Sequence, residues 1–260
     1  MIDISKCATK RLIARLDIKG SNLIKGVHLE GLRVVGDPSF FAKSYYDQGI
    51  DELIYNDVVA SLYGRNHLQK IINKAALNTF VPLTVGGGVR SIEDVASILN
   101  CGGDKISINT AAVYNPLLLQ DIACIYGSQV LVVNIEAKKI DNNKWIILTN
   151  NGRESTGIDV VDWAKKVEDL GAGEILLTSV DCEGTTKGFD LELIRLISNL
   201  VSIPVIASGG FGHPRDALQV FESTDASAVA IAHSLHYNEH TVAQIRSFLR
   251  DHMVNLRDYD

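Results

Sequence analysis

The sequence predicts an α/β protein that forms a single (β/α)8 TIM barrel. The chain has 260 residues, 46% of them hydrophobic and 22% charged, and barrels of about 250 residues fold as one domain. Eight short apolar runs alternate with helical patterns along the chain. The segment Val81–Gly88, a buried strand that runs into three glycines, recurs as Ile203–Gly210. Together these features indicate eight parallel strands, each followed by a helix.

The apolar runs are the predicted strands. They lack strict alternation, which is typical of parallel strands covered on the outside by helices. In chain order they are Leu12–Leu16, Leu53–Asp57, Pro82–Val85, Lys105–Ile108, Val130–Ile135, Ile175–Ser179, Val205–Ser208 and Ala228–Ala232. Helical patterns between them include Pro38–Gln48, Asn66–Leu77, Ser91–Asn100, Pro116–Tyr126, Asp159–Leu170, Leu191–Asn199 and Pro214–Glu222. Right-handed crossovers and eight strands favour a closed barrel.

The repeat extends beyond the glycine turn. Gly49–Ile54 matches Gly171–Leu176, and Leu16–Lys19 matches Ile135–Lys138. We therefore expect one barrel over residues 1–260, made of two duplicated half-barrels at about 1–125 and 126–260.

Two connections are longer than a barrel needs. Lys19–Pro38, after the first strand, contains several glycines and is predicted to be a mobile lid. Lys138–Gly157, after the fifth strand, combines Asp141-Asn142-Asn143 with an apolar run, a pattern that predicts a small hairpin.

Composition excludes several classes of function. The net charge of −6 argues against binding along a nucleic-acid backbone. No apolar run approaches the roughly 20 residues that span a membrane, and the start lacks a signal-peptide pattern, so we expect a cytoplasmic protein. The cysteines and histidines show no metal-ligand spacing, and neither a metal nor another cofactor is expected.

Two carboxylates are the candidate catalytic groups. Asp17 ends the first strand and Glu136 ends the fifth, so the two face each other across the carboxyl end of the barrel, where barrel enzymes place their active sites. Such a pair suits general acid/base work on a substrate between them. The alternative is that each pairs only with a neighbouring lysine, Lys19 or Lys138.

Each glycine turn, followed by a helix, predicts a phosphate site, because its backbone N–H groups and the helix N-terminus attract anions. Duplication of the turn indicates an elongated ligand with two phosphates, although turn geometry alone could also explain the glycines. The candidate ligands are Gly87, Gly88, Asn109 and Thr110 in the first half, and Gly184, Thr185, Gly209, Gly210 and Ser234 in the second.

Four charged residues start strands at the opposite end, the barrel floor. They are Arg11, Glu52, Lys105 and Glu174. The residues alone favour a ring of salt bridges that stabilises the barrel, since floor residues usually serve stability.

Taken together, these motifs resemble the cyclase subunits of imidazole glycerol phosphate synthase over nearly the whole chain. The motifs are LDIKG and IKG within 16–26, GDP at 36–38, VPLTVGGG at 81–88, DKISINTAAV at 104–113, GSQ at 127–129, GAGEILLTS at 171–179 and IPVIASGG at 203–210. That family is a half-barrel duplication that takes ammonia from a glutaminase subunit docked on the barrel floor. The ammonia cleaves and cyclises a bisphosphorylated ribulosyl aminoimidazole carboxamide ribotide in histidine synthesis.

The resemblance implies residue roles and a heterodimer with a glutaminase. It implies catalysis by Asp17, and an ammonia gate in place of a merely stabilising ring at Arg11, Glu52, Lys105 and Glu174. Three positions depart from the family pattern. Glu136 and Glu183 replace aspartates, and Arg15 replaces a cysteine and should point into the barrel as Asp17 does, because strands alternate faces.

A second interpretation comes from the same motifs. RLDIKG and NIEAK resemble a paralogous group whose barrel delivers ammonia for acetamidino-sugar formation in surface polysaccharides. A phosphate-binding module without catalytic activity is a third interpretation, and the four charged floor residues argue against it because a binder needs no ammonia route.

Overall fold

The computed structural model describes residues 9–59 and 68–258. Its strands are β1 (Arg11–Lys19), β2 (Asn22–Val27), β3 (Glu30–Gly36), β4 (Glu52–Asp57), β5 (Leu83–Gly86), β6 (Lys105–Ile108), β7 (Leu131–Asp141), β8 (Lys144–Thr149), β9 (Glu154–Asp159), β10 (Glu174–Ser179), β11 (Val205–Ser208) and β12 (Ala228–Ile231). Parallel pairing runs from β10 through β11, β12, β1, β4, β5 and β6 to β7, and β7 pairs back with β10. The predicted (β/α)8 barrel is confirmed.

Helices lie between the barrel strands. They are α1 (Pro38–Asp47), α2 (Leu68–Ala76), α3 (Ile92–Asn100), α4 (Thr110–Tyr114), α5 (Leu117–Tyr126), α6 (Val160–Asp169), α7 (Leu191–Ser198), α8 (Pro214–Ser223), α9 (His233–His236) and α10 (Val242–Asp251). The predicted helix at Asn66–Leu77 begins outside the described residues. None of the helices in the described ranges is long and apolar enough to cross a membrane.

Polar side chains at the sequence-predicted boundaries start these helices. Asp37 Oδ1 accepts a hydrogen bond from Ser39 N at 2.7 Å, and Pro38 occupies the first turn of α1. Ser91 and Asp94 form a reciprocal capping box on α3. Each cap satisfies backbone N–H groups that have no partner within the helix. The chain therefore turns from strand to helix at defined residues.

Two hairpins stand on the carboxyl end of the barrel. The connection predicted to be a mobile lid forms the antiparallel strands β2 and β3, with β2 paired to the end of β1. The hairpin predicted after the fifth strand is present as the extended β7, β8 and β9. Leu29 of the first hairpin packs against Leu148 of the second, so the hairpins meet over the barrel mouth.

The apolar core has two parts. The larger part lies between the barrel strands and the helices. A smaller cluster fills the lumen with inward side chains from six strands, namely Ile13, Ile54, Val132, Leu176, Ile206, Ala228 and Ala230. Residues two positions before and after these side chains on each strand also point inward, because alternate residues of a strand share a face. They lead to the charged floor at one end and to the mouth at the other. The lumen is therefore charged at the floor, apolar in the middle and polar above.

Candidate active site at the carboxyl end of the barrel

Both predicted catalytic carboxylates point into the barrel mouth. Asp17 lies on β1 and Glu136 on β7, and their exposed fractions are 5% and 2%. Three barrel strands lie between β1 and β7 in either direction around the barrel. The two carboxylates therefore flank the same enclosed space, as the sequence predicts, but their electrostatic surroundings differ.

Arg15 lies directly below Asp17 on β1 and points inward, as predicted. Its guanidinium is 1% exposed. Nε donates to Asp17 Oδ1 at 3.0 Å, and Nη1 donates to Thr178 Oγ1 at 2.9 Å and to Ser208 Oγ at 3.2 Å. Arg15 therefore ties β1 to β10 and β11 across the top of the lumen.

Asp17 is held as a carboxylate. Burial acts to raise its pKa, but the charges of Arg15 and then Lys25 outweigh burial and hold the pKa below its ordinary value. Lys25 Nζ lies 3.8 Å from Asp17 Oδ2. An ionised, doubly paired carboxylate accepts hydrogen bonds well and is a weak base. Asp17 is thus suited to bind and orient donor groups of a substrate.

Lys25 also makes a buried ion pair with Glu183, in the loop after β10. The same loop binds the β2–β3 hairpin through His28 N, which donates to the Glu183 carbonyl at 2.8 Å. This contact closes the hairpin over β10 and β11. Sequence reasoning missed Lys25, because its partner lies 158 residues away and no local pattern connects the two.

Glu136 has neutral hydrogen-bond partners. Gly152 N donates to its Oε2 at 2.7 Å, and Asn134 Nδ2 donates to Oε1 at 3.5 Å. Burial raises the pKa of Glu136 to about 7, and the charge of Arg15 is the largest opposing influence. A carboxyl group with a pKa near neutrality can both donate and accept a proton under physiological conditions. Glu136 is therefore the better acid/base group of the pair.

The first glycine turn borders a cavity at the barrel mouth with a volume of about 470 Å³. Gly87, Gly88, Asn109, Thr110 and Glu136 all line it. Gly87 has φ of +96°, and a Cβ there would strike the backbone of Asp57, so the turn requires glycine. Four of the predicted phosphate ligands are therefore brought together beside Glu136.

The second glycine turn surrounds a much smaller space. Gly184, Gly209 and Gly210 line a void of about 10 Å³ beside Arg15, which is too small for a phosphate group. Thr185 Oγ1 donates to the Cys182 carbonyl at 2.7 Å, within its own loop. The predicted second phosphate site is thus present as a set of residues but is not open.

Ser234, the last predicted phosphate ligand, is fully buried at the start of the short helix α9. Its Oγ has no hydrogen-bond partner within the described ranges. His233, which lines the void, has a buried Nδ1 that also lacks a hydrogen-bond partner within the described ranges. Polar groups at this end of the barrel are therefore available to a ligand that opens the space.

The four charged floor residues form one connected ring. Arg11 Nη1 donates to Glu52 at 2.6 Å, and Arg11 also pairs with Glu174. Lys105 Nζ lies 3.2 Å from Glu52 and 3.1 Å from Glu174. The ring closes the lumen below the apolar cluster. In the described part of the chain, no group of histidine, cysteine and acidic residues could hold a metal ion.

Comparisons with known proteins agree with this geometry. A family model described as "Histidine biosynthesis protein" matches residues 11–241. The imidazole glycerol phosphate synthase subunit HisF of Legionella pneumophila is 65% identical over 202 residues, or 78% of this chain and 95% of that protein. The same subunit of Bacillus cereus (strain Q1) is 46% identical over 248 residues, or 95% of this chain and 98% of that protein. The family model matches most of the chain, and both relatives are similar to it over most of their length. The chain therefore belongs to the histidine biosynthesis protein family.

Proposed function

We propose that this chain is the cyclase subunit of imidazole glycerol phosphate synthase and works with ammonia from a glutaminase partner. The observation that carries the proposal is the pair of carboxylates, Asp17 and Glu136, above a lumen that the charged ring closes. The relatives cited above carry the name of this subunit, which favours the cyclase over delivery of ammonia to a sugar.

The substrate proposed is the bisphosphorylated ribulosyl aminoimidazole carboxamide ribotide. One phosphate binds at Gly87, Gly88, Asn109 and Thr110, and the other binds at Gly184, Thr185, Gly209, Gly210 and Ser234. The reacting part then lies between these ends, beside both carboxylates. Opening of the second end requires the β2–β3 hairpin to move from the loop that contains Glu183 and Gly184, where Gly184 packs against the backbone of Gly26.

The two carboxylates divide the chemistry. Glu136, whose pKa is about 7, moves the protons that accompany ammonia addition, bond cleavage and ring closure. Asp17, held ionised by Arg15 and Lys25, binds and orients the sugar-derived hydroxyl groups. Ammonia enters through the ring of Arg11, Glu52, Lys105 and Glu174 and rises through the apolar lumen, which admits a small neutral molecule.

Steady-state turnover with the ribotide and ammonium chloride, without a partner subunit, tests the proposal. We expect ammonium-dependent product formation that falls at least about a hundredfold in Glu136→Gln, the usual range for loss of a general acid/base. Glu192→Gln is the matched control, because Glu192 pairs with Lys139 on the exposed surface. Equal turnover of the parent and Glu136→Gln would contradict the assigned role, and no turnover by the folded parent would contradict the function.

A further inference from the structure

At the level of Arg15, just above the apolar cluster, the lumen is filled on the side of β10, β11 and β12. The Arg15 guanidinium crosses from β1 to Thr178 on β10 and Ser208 on β11. The remaining void beneath the second glycine turn is about 10 Å³, roughly the space of one water molecule. A small molecule that rises through the lumen therefore meets the Arg15 cation on the β10–β12 side, where its Nε and Nη1 are hydrogen-bonded.

The opposite side of the same layer is open. Gly86 on β5, Ser107 on β6 and Asn134 on β7 occupy inward positions there, as the strand pairing shows. Ser107 and Asn134 both line the cavity of about 470 Å³. The glycine and serine on β5 and β6 fill little of this layer, and Asn134 lines the cavity directly above the apolar cluster.

Asn134 has an unused acceptor on this open side. It lies between Val132 of the apolar cluster and Glu136 of the site, and it is 5% exposed. Its Nδ2 donates to Glu136 Oε1 at 3.5 Å, so its Oδ1 points away from that carboxylate. Its Oδ1 is buried without a hydrogen-bond partner in the part of the chain that the structure describes. A buried acceptor without a donor is unfavourable, so this oxygen favours a ligand that donates.

We propose that Asn134 Oδ1 binds ammonia as it leaves the lumen and holds it beside Glu136. This inference rests on the proposed function, because it supplies the last binding point on the ammonia route. Ammonia can donate one N–H to Oδ1 and keep its lone pair free to attack the substrate. The position of Arg15 favours this route, since its side chain occupies the β10–β12 half of the layer, whereas the cavity lies open on the Asn134 side.

Ammonium dependence of turnover in two Asn134 variants tests the inference. Asn134→Leu removes the acceptor at similar volume, and Asn134→Ala removes it without narrowing the space beside it. Both are expected to raise the KM for ammonium about tenfold, the equivalent of one hydrogen bond, with kcat at saturating ammonium and the KM for ribotide within about twofold of the parent. Thr79→Val is the matched control, because it removes a buried hydroxyl that donates to the Ala75 carbonyl at 3.0 Å, away from the lumen.

The outcomes are separable. A normal KM for ammonium in both Asn134 variants overturns the inference and leaves the proposed function in place. A loss of kcat that saturating ammonium does not restore also overturns it, because Asn134 would then act only by orienting Glu136. An increase in Asn134→Leu alone indicates blockage and overturns the assigned acceptor. A parent without ammonium-dependent turnover overturns the proposed function and this inference together.

Discussion

The buried contact between Arg15 and Asp17 predicts a large loss of stability in Arg15→Met. The substitution keeps a long side chain but removes the cation that bonds Asp17 at 3.0 Å. Removing one partner of a buried ion pair costs about 3–5 kcal/mol, because the other charge is left uncompensated. Lys25 remains 3.8 Å from the second oxygen of Asp17, so we expect the lower end, about 3 kcal/mol.

The assay is thermal and urea unfolding of Arg15→Met, Asp17→Asn and the double variant. About 3 kcal/mol corresponds to a Tm roughly 6–12 °C lower for a domain of this size. Adding Asp17→Asn to Arg15→Met removes the stranded carboxylate, so the double variant should be more stable than Arg15→Met alone. A double-mutant cycle built this way isolates the pair from the separate effects of each side chain.

The pH dependence has a defined sign. In the parent, the pKa of Asp17 is lowered, so its contribution to stability is present above the ordinary carboxyl pKa and is lost as pH falls through the lower folded value. Without Arg15, burial becomes the main influence and raises that pKa. The deficit of Arg15→Met relative to the parent should therefore shrink between pH 7 and pH 5. A Tm within about 2 °C of the parent at pH 7, or a double variant no more stable than the single one, would refute this reasoning.

Three other substitutions test Glu136, the second glycine turn and the floor. Glu136→Gln should stabilise the protein by up to about 3 kcal/mol at pH 8.5 and little at pH 5 in urea unfolding, because a pKa raised to about 7 means stability that is lost as pH rises through that value. Gly210→Ala should lower Tm and reduce stabilisation by inorganic phosphate, since φ is +109° and a Cβ would meet the Gly188 carbonyl. Gly20→Ala also has a positive φ, +60°, but its Cβ meets no atom within 4 Å, so it should lower Tm less and leave stabilisation by phosphate unchanged. Asp104→Lys should weaken glutaminase binding at least about tenfold in titration calorimetry by charge repulsion, and Asp104→Asn, which can still accept from Leu83 N, should not. Unchanged behaviour of any of the three test variants would contradict the corresponding assignment.

Most of the barrel could be predicted from sequence because its signals are local. Apolar runs, capping residues such as Asp37 and Ser91, and the repeated glycine turns each determine their own element. The inward direction of Arg15 follows from alternation along β1 and is confirmed by its hydrogen bonds to Thr178 and Ser208 across the lumen. The same alternation on β7 places Asn134 inward beneath Glu136, so the pattern that found Arg15 could have found Asn134.

Other features depend on distant contacts that a sequence pattern does not contain. The connection after β1 forms a hairpin because β2 pairs with β1 and because Lys25 pairs with Glu183 in the loop after β10. The space at the second glycine turn is closed by another contact between distant segments, since Gly184 packs against the backbone of Gly26. The pKa values of Asp17 and Glu136 differ because Arg15 and Lys25 lie beside Asp17, whereas Glu136 has neutral hydrogen-bond partners. The half-barrel origin, the phosphate sites and the ammonia gate stay predictions that the experiments above address.

Turnover of the ribotide with ¹⁵N-labelled ammonium, followed by mass spectrometry of the product, tests the proposed cyclase function directly. An ammonia-dependent cyclase should form an imidazole product that carries the label, at a rate that rises with ammonium and falls in Glu136→Gln. Recovery of intact ribotide from a folded, phosphate-binding protein, or of an unlabelled product, would contradict the claim that this barrel is an ammonia-dependent cyclase.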